Sequence, residues 1–455
     1  MSLKMSLLCG LIIYVVAVVS VYAQNVESQN SPGAGLFQKN CAKCHNGTVP
    51  EVPSKAVLRK MSSTKIYNTL TSGIMRPMAG HLSDIERKKI ANYLGGVLSS
   101  SPLLKCENSA HWFDYSQPPL VSGGGMTNFQ NTRLIPKTVA GLSVSDIKKL
   151  KLKWAFAFPN TAKARSQPAI AGGVLFIGSG DGTVYALDPD SACVHWTFKA
   201  PHEVRTAITI DEWSADKRQN PEQAPSIYFG DSAANAYAVN AVTGKLRWKV
   251  KLEDVPGARI TGSVVKYNDR LYIPVAGGGG ENVAHSCCTF RGSVSALDAK
   301  TGHVIWKRYT IPVKPVEQYK NAAGVPQHGP SGAGVWNTPT IDKKRQRLYV
   351  GTGENSSSPA INGGAVMAFD LLDGNIAWVM QASPGEAYNV ACSKLYSTDD
   401  MNCPKEYKGR LGVDFAGASP VLLQGKDGRD VIVAGQKTGS IFGLDPDQKG
   451  KVLWP

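Results

Sequence analysis

The chain has 455 residues, room for two or three domains, and its 42% hydrophobic and 19% charged residues exclude a disordered or fibrous class. The formal charge of +15 raises nucleic acid as a partner, but the basic residues are scattered and no standard nucleic-acid module is present. We therefore read no nucleic acid; the surplus is either a solvated surface or a field that steers an acidic redox partner.

Residues 1–23 have the layout of a secretory signal peptide: Lys4, an apolar run from Leu7 to Val21, and a small-residue cleavage site at Val21-Tyr22-Ala23 before Gln24. An uncleaved anchor is the alternative, for which the run is short. Export to the periplasm agrees with the cysteines. Of nine Cys, Cys9 falls in the signal, two belong to the motif below, and six can pair in an oxidising compartment.

Residues 28–98 read as a small helical domain. Leu36 and Phe37 lie on a short helix that runs into Cys41-Ala42-Lys43-Cys44-His45. Two Cys separated by two residues and followed at once by His form an attachment site for c-type haem. The Cys41 and Cys44 sulfurs add across the vinyl groups and His45 ligates the iron. A zinc site would need more Cys or His, and only His81 is near. The second axial ligand is Met75 or Met78. Small cytochromes c resemble this region through a Gly-x-Met segment seven residues before the Leu-Ser that opens the last helix, a spacing that Met75 and Leu82 match. His/Met ligation raises the potential and makes the iron an electron acceptor. Ser83-Asp84-Ile85-Glu86 is a capping box with Leu82 as its hydrophobic staple, and Ile85, Ile90, Tyr93, Leu94 and Leu98 form one apolar helical face. Residues 99–135, rich in Ser, Pro and Gly, read as a linker.

Over 136–455 short β-branched and aromatic runs end at Gly, as in Val174-Leu175-Phe176-Ile177-Gly178 and Leu348-Tyr349-Val350-Gly351. After each comes a strand ending in Leu187-Asp188, Val239-Asn240, Leu297-Asp298, Phe369-Asp370 or Leu444-Asp445, then a turn, then a strand closed by Trp196, Trp248, Trp306, Trp378 or Trp454. The Trp spacings of 52, 58, 72 and 76 residues are those of β-propeller blades of several strands each. The acidic residue caps turn amides, glycine supplies the positive φ, and the Trp ring fills the gap between blades. Trp154 is placed like the last strand of a further blade, and five units are complete.

The stretches EVRTAIT (203–209), ARITG (258–262), CCTFRGS (287–293), LYVGTGEN (348–355), DFAGASP (414–420) and AGQKTG (434–439) resemble the propeller of quinoproteins that bind pyrroloquinoline quinone, PQQ. With the haem domain in front, the mature chain is similar to the cytochrome-type polyvinyl-alcohol dehydrogenases. The resemblance implies an all-α class I cytochrome c domain followed by an all-β propeller, with eight blades in the family. This chain is then C-terminally truncated. It implies a quinohaemoprotein dehydrogenase that oxidises secondary alcohol groups, polyvinyl alcohol first, and passes electrons to haem c and on to an external cytochrome c or other periplasmic acceptor. Small alcohols, polyols and sugars are alternative substrates, and a cofactor-free propeller scaffold is the alternative outside enzymes.

The resemblance also implies residue roles. Arg205 binds a PQQ carboxylate, Thr261 donates a PQQ hydrogen bond, Trp336 stacks on its rings, and Lys437 lies near the quinone oxygens. Asp414 is the general base. Glu281 and Asn355 hold Ca²⁺, although Glu354 precedes Asn355 as an apparent insertion and leaves open which side chain faces the metal. The favoured disulfides are Cys287–Cys288, Cys392–Cys403 and Cys106–Cys193. The family's methanol oxidisers cover PQQ with a vicinal disulfide, but here the Cys pair lies one blade later, so that role is not carried over.

Overall fold

The computed structural model describes residues 32–455 except 50–51, 60, 72, 96–102, 108–111, 127, 160, 162, 214–223, 278–285, 394–400, 410–412 and 416. The signal segment, Leu98 and Glu281 lie outside the described residues. The chain divides into two units: Met1–Leu103 with Ala157–Lys163, and Leu104–Phe156 with Ala164–Pro455.

The first unit is helical: Pro32–Asn40, Ala42–His45, Lys55–Leu58, Ser63–Thr71, Arg76–Ala79 and Asp84–Leu94. Its first and last helices cross at Gly33, where a Cβ would stand 2.2 Å from the Lys89 carbonyl oxygen and 2.6 Å from the Tyr93 Cβ. Only glycine permits that approach. Phe37, Ile66, Leu70, Leu82, Ile90 and Leu94 make the core. The capping box forms: the Glu86 N–H donates to Ser83 Oγ at 3.3 Å and the Ser83 N–H to Glu86 Oε2 at 2.8 Å. The apolar face needs correction. Ile85 is 65% exposed, whereas Ile90, Ala91 and Leu94 are buried. Positions five apart on a helix stand about 140° apart, so Ile85 cannot share the Ile90 face. Leu82 enters the core itself; the fourth helical position is Arg87, whose Nε donates to the Ala79 carbonyl at 3.1 Å.

Among the described residues the second unit carries five antiparallel meanders of four strands, the third extended by a short fifth strand, Ala258–Arg259, that pairs with Arg270–Gly277. The first comprises Ala169–Ala171, Val174–Gly178, Thr183–Leu187 and Val194–Lys199; the second Thr209–Ile210, Ser226–Gly230, Asn235–Asn240 and Leu246–Lys251. The third comprises Val265–Tyr267, Arg270–Gly277, Ser293–Asp298 and Val304–Tyr309; the fourth Thr340–Asp342, Arg347–Gly351, Ala365–Asp370 and Ile376–Gln381. The fifth comprises Val421–Gln424, Asp430–Gly435, Ile441–Asp445 and Lys451–Trp454. These are the propeller blades that the repeat anticipates.

The repeat residues act as their chemistry requires. Asp188, Asn240, Asp298, Asp370 and Asp445 each accept a turn N–H, from Ser191, Thr243, Thr301, Leu372 and Asp447, at 2.7–2.9 Å. Gly244, Gly302, Gly374 and Gly450 take φ of 67–75°, and Ala192 takes 60° at the matching place in the first blade. These four glycines lie against Trp196, Trp248, Trp306 and Trp378, where a Cβ would come within 2.8 Å of the ring. The Trp196, Trp248 and Trp306 indoles donate to carbonyls of the next blade's turn, Ala241, Ala299 and Leu371, at 2.9, 3.0 and 3.3 Å. Trp154 repeats the contact on Pro189 of the first blade at 3.0 Å. Each of four apolar clusters lies between two successive blades; Phe176 and Phe229, for example, share the first.

Residues 104–135, expected as a linker, belong to this second unit. The Val194 N–H donates to the Leu104 carbonyl at 2.7 Å and the Leu120 N–H to Ile170 at 2.9 Å, while Phe113 joins the first cluster. A Ser-, Pro- and Gly-rich composition reports few side-chain contacts of its own, but it does not reveal partners that distant strands offer to its backbone. All three expected disulfides form, and Cys106–Cys193 ties this stretch to the first blade.

Candidate functional site

The innermost strand of each blade begins four residues after a residue that lines one shared cavity of about 520 Å³: Arg165, Arg205, Thr261, Trp336 and Gly417. One repeat position, read five times, thus brings Arg205, Thr261 and Trp336 together from 131 residues of sequence (205 to 336). Asn131 and Arg133 complete the wall from the 104–135 stretch. Their φ values of 56° and 53° are left-handed. Asn131 is fixed there by donating to Thr340 Oγ1 at 2.7 Å and to the Thr338 and Pro339 carbonyls at 3.1 Å. A larger hollow of about 620 Å³, walled by Phe129, Trp213 and Tyr267, contains none of the expected site residues.

Two groups in the cavity wall mark it as a ligand site. Among the described residues, Thr261 Oγ1 and Asn337 Oδ1 are buried with no hydrogen-bond partner, which a native interior rarely tolerates. Around them stand the Arg165, Arg205 and Arg133 guanidiniums and the Trp336 indole. A flat, anionic, hydrogen-bonding molecule fits this set: the ring for its face, the guanidiniums for its carboxylates. Burial and then the Arg165 and Arg259 charges press Arg205 below its usual pKa, with Glu203 opposing.

At the Trp336 edge of the cavity lies a charged cluster. Asp414 precedes the fifth blade and is fully buried; Lys437 follows the strand Asp430–Gly435; Glu354 follows Arg347–Gly351. Lys437 Nζ is 2.5 Å from Asp414 Oδ2, 3.8 Å from Glu354 Oε1 and 4.9 Å from the Trp336 ring centroid. Burial alone would lower the Lys437 pKa, but the hydrogen bond it donates to Asp414 and the charges of Glu354, Asp414 and Tyr388 raise it. Lys437 is therefore a fixed cation, bonded to one carboxylate and shared with a second. Burial, followed by the Asp414 charge, pushes the Glu354 carboxyl up to about 8.

Asn355 does not face this cluster. Its Oδ1 accepts from the Gly363 N–H at 3.0 Å, and its Nδ2 donates to the Ile361 and Ser331 carbonyls at 2.8 and 3.4 Å. Its amide is bonded to the backbone, and Glu354 is the neighbour whose side chain turns toward Lys437. The Cys287–Cys288 pair lies close by: Cys288 Sγ is 3.7 Å from the Ser356 carbonyl, and the Cys288 N–H donates to the His328 carbonyl at 3.1 Å. Among the described residues no three His, Cys, Asp or Glu gather into a metal cluster. Sequence reasoning missed Arg133, Arg165 and Tyr388. The fixed offset before each innermost strand was a signal for Arg165; nothing local marked the other two.

In the helical unit Cys41 and Cys44 are free thiols. His45 is buried, and its Nδ1–H donates to the Pro53 carbonyl at 2.7 Å, which leaves the Nε2 lone pair for a metal. Met75, like Cys41, packs against the core cluster of this unit, whereas Met78 is 63% exposed.

The family pattern described as "Glucose/ethanol/alcohol dehydrogenase, beta-propeller domain", of the PQQ group, matches residues 137–382. The pattern "Cytochrome C oxidase, cbb3-type, subunit III" matches residues 28–94. A polyvinylalcohol dehydrogenase of Pseudomonas sp. is 34% identical over 97% of this chain and 70% of its own length. One of Sphingopyxis sp. (strain 113P3) is 34% identical over 94% and 67%. The solved quinohemoprotein alcohol dehydrogenase of Comamonas testosteroni superposes with a TM-score of 0.53 at 20% identity, over 74% of this chain and 48% of that one. The chain thus spans about two thirds of these sequence relatives and about half of that structure.

Proposed function

This chain belongs to the PQQ-dependent alcohol dehydrogenase family, in its cytochrome-carrying form, and on that premise we propose that it oxidises secondary alcohol groups of polyvinyl alcohol. PQQ, when bound, supplies an electrophilic carbonyl that accepts the hydride equivalent, and haem c a one-electron acceptor. The chain's own residues supply the rest. Asp414 Oδ takes the hydroxyl proton. Lys437 holds that carboxylate in one orientation and presents a fixed positive charge beside the Trp336 face, where anionic charge grows. Trp336 and Thr261 orient the flat cofactor, and Arg205 pairs with a carboxylate.

Oxygen ligands suit a hard cation, and we assign Ca²⁺ to Glu281 with Glu354 or Asn355: Glu354 is the side chain beside Lys437, while the Asn355 Oδ1 accepts a single N–H, from Gly363, and keeps a lone pair. Cys41, Cys44, His45 and Met75 hold the haem. The signal-like residues 1–23 support a periplasmic location, with an external cytochrome c or similar acceptor downstream.

The observation that carries the proposal is the Asp414–Lys437 pair seated against Trp336: a buried base, its cation and a stacking surface in one place. The test is dye reduction by the haem-loaded chain after incubation with PQQ and Ca²⁺, offered polyvinyl alcohol, 2-propanol or glucose. Reduction by the polymer above the small alcohol supports the assignment. No reduction by any alcohol, in a preparation shown to bind PQQ, contradicts it.

A further inference from the structure

Arg165 and Arg133 have no role in the reaction as described, yet both stand in the cofactor cavity. Arg165 occupies in the first blade the position that Arg205, Thr261 and Trp336 occupy in the next three, four residues ahead of the innermost strand. Equivalent positions on equivalent blades face the same central space. Arg133 reaches that space by another route, on a left-handed backbone next to the anchored Asn131. A left-handed φ on a non-glycine residue is held only where surrounding contacts fix it.

The charges around these arginines are one-sided. Arg133, Arg165 and Arg205 all line the cavity wall; among the described residues the only ion pair any of them makes within 4 Å is Arg165 Nη1 to Glu203 Oε1 at 3.8 Å, and the Arg165 side chain is 46% exposed. Arg259 adds further positive charge beside Arg205. Like charges gathered in a concave wall repel one another, and a polyanion relieves that repulsion while gaining bidentate hydrogen bonds. The buried, unpartnered Thr261 hydroxyl and Asn337 carbonyl stand in the same wall.

We propose that Arg133 and Arg165, together with Arg205, form a three-guanidinium cradle for the carboxylates of PQQ, so that two further residues of this chain are cofactor-binding residues. The inference rests on the PQQ reading above. Its chemical content is specific: the two arginines read carboxylate charge, not the quinone and not the alcohol. Asp414 and Lys437, at the other edge of Trp336, are left to the reacting oxygen atoms.

The experiment is calorimetric titration of the full haem-loaded, Ca²⁺-saturated chain with PQQ and with its trimethyl ester, whose carboxylates are neutral. It is run on the unaltered chain, Arg133→Gln and Arg165→Gln. Each substitution should weaken PQQ about tenfold at low ionic strength, the scale of one charge-assisted bidentate contact. Each should leave the ester's affinity unchanged, and the tenfold gap should shrink in high salt. Two variants that bind PQQ as tightly as the unaltered chain would overturn the cradle while leaving PQQ binding intact. Equal losses for PQQ and ester would overturn it too, since the arginines would then only shape the wall. An unaltered chain that binds no PQQ overturns the reading beneath it, and the cradle with it.

Discussion

Replacing Asp414 by Asn separates the proposed chemistry from the architecture. The amide fills the same fully buried slot, and the residue 414 carbonyl still accepts the Lys437 N–H at 3.1 Å. What disappears is an oxygen able to take a proton. A positioned general base contributes about 10²- to 10⁴-fold, so kcat/KM should fall about a thousandfold, or about 4 kcal/mol of barrier. The structural cost is smaller. The lost ion pair has one buried partner, but the Lys437 side chain is 45% exposed and Glu354 remains 3.8 Å away. We expect about 1 kcal/mol instead of the ~3–5 kcal/mol of a fully buried pair, and a melting temperature lower by about 2 °C. The assay pairs steady-state turnover on a secondary alcohol with PQQ titration and thermal melting. Turnover above about a tenth of the unaltered value would refute the role of Asp414 as base. So would a loss of PQQ binding matching the loss of rate, since Asp414 would then hold the cofactor.

Three further outcomes follow from particular contacts. Met75→Ala should abolish the methionine–iron absorption band and lower the haem potential, while Met78→Ala, at a 63% exposed position, should leave both unchanged; the reverse would exchange the ligands. Thr261→Val should weaken PQQ about fivefold, the scale of one neutral hydrogen bond, yet leave the melting temperature of the cofactor-free protein unaltered or raised, because among the described residues that buried hydroxyl has no partner to lose. Arg345 pairs with Asp342, Asp430 and Asp447 at 2.8, 2.9 and 2.5 Å and joins the fourth blade to the fifth. Arg345→Gln should cost about 3 kcal/mol near neutral pH in urea unfolding. The sign with pH is fixed. Burial would raise the Asp430 carboxyl, but its pairs with Lys344 and Arg345 hold it below the usual range. A depressed carboxyl stabilises the fold above its unfolded value and stops doing so as pH falls through the folded one. The gap between unaltered and variant protein should therefore narrow below about pH 4; a gap independent of pH would contradict the pairing.

The blades were legible because each turn repeats the same physical demands: an acidic cap, a positive φ and a ring to cover. The resemblance pointed to Arg205, Thr261 and Trp336, which line one cavity. What was not legible follows from geometry that a local pattern does not carry. Ile85 looked like part of an apolar face until the helix phase turned it away from Ile90. Residues 104–135 looked like a linker because their partners, Val194, Ile170 and Thr340, lie far along the chain. Glu354 and Asn355 are both plausible oxygen ligands, and only the Asn355 bonds to Gly363 and Ile361 decide which one faces Lys437. Arg133 reaches the cavity through a left-handed backbone that composition does not announce.

In the proposed reaction one chain removes hydride from an alcohol in its propeller and delivers the electrons to its own haem. The most direct measurement is the visible spectrum of the oxidised protein, loaded with PQQ and Ca²⁺ under anaerobic conditions, before and after addition of polyvinyl alcohol. The bands of ferrous haem should appear on mixing and be absent when Asp414 is replaced by Asn. Haem that stays ferric with the alcohol, in protein that dithionite still reduces, would contradict the proposed reaction.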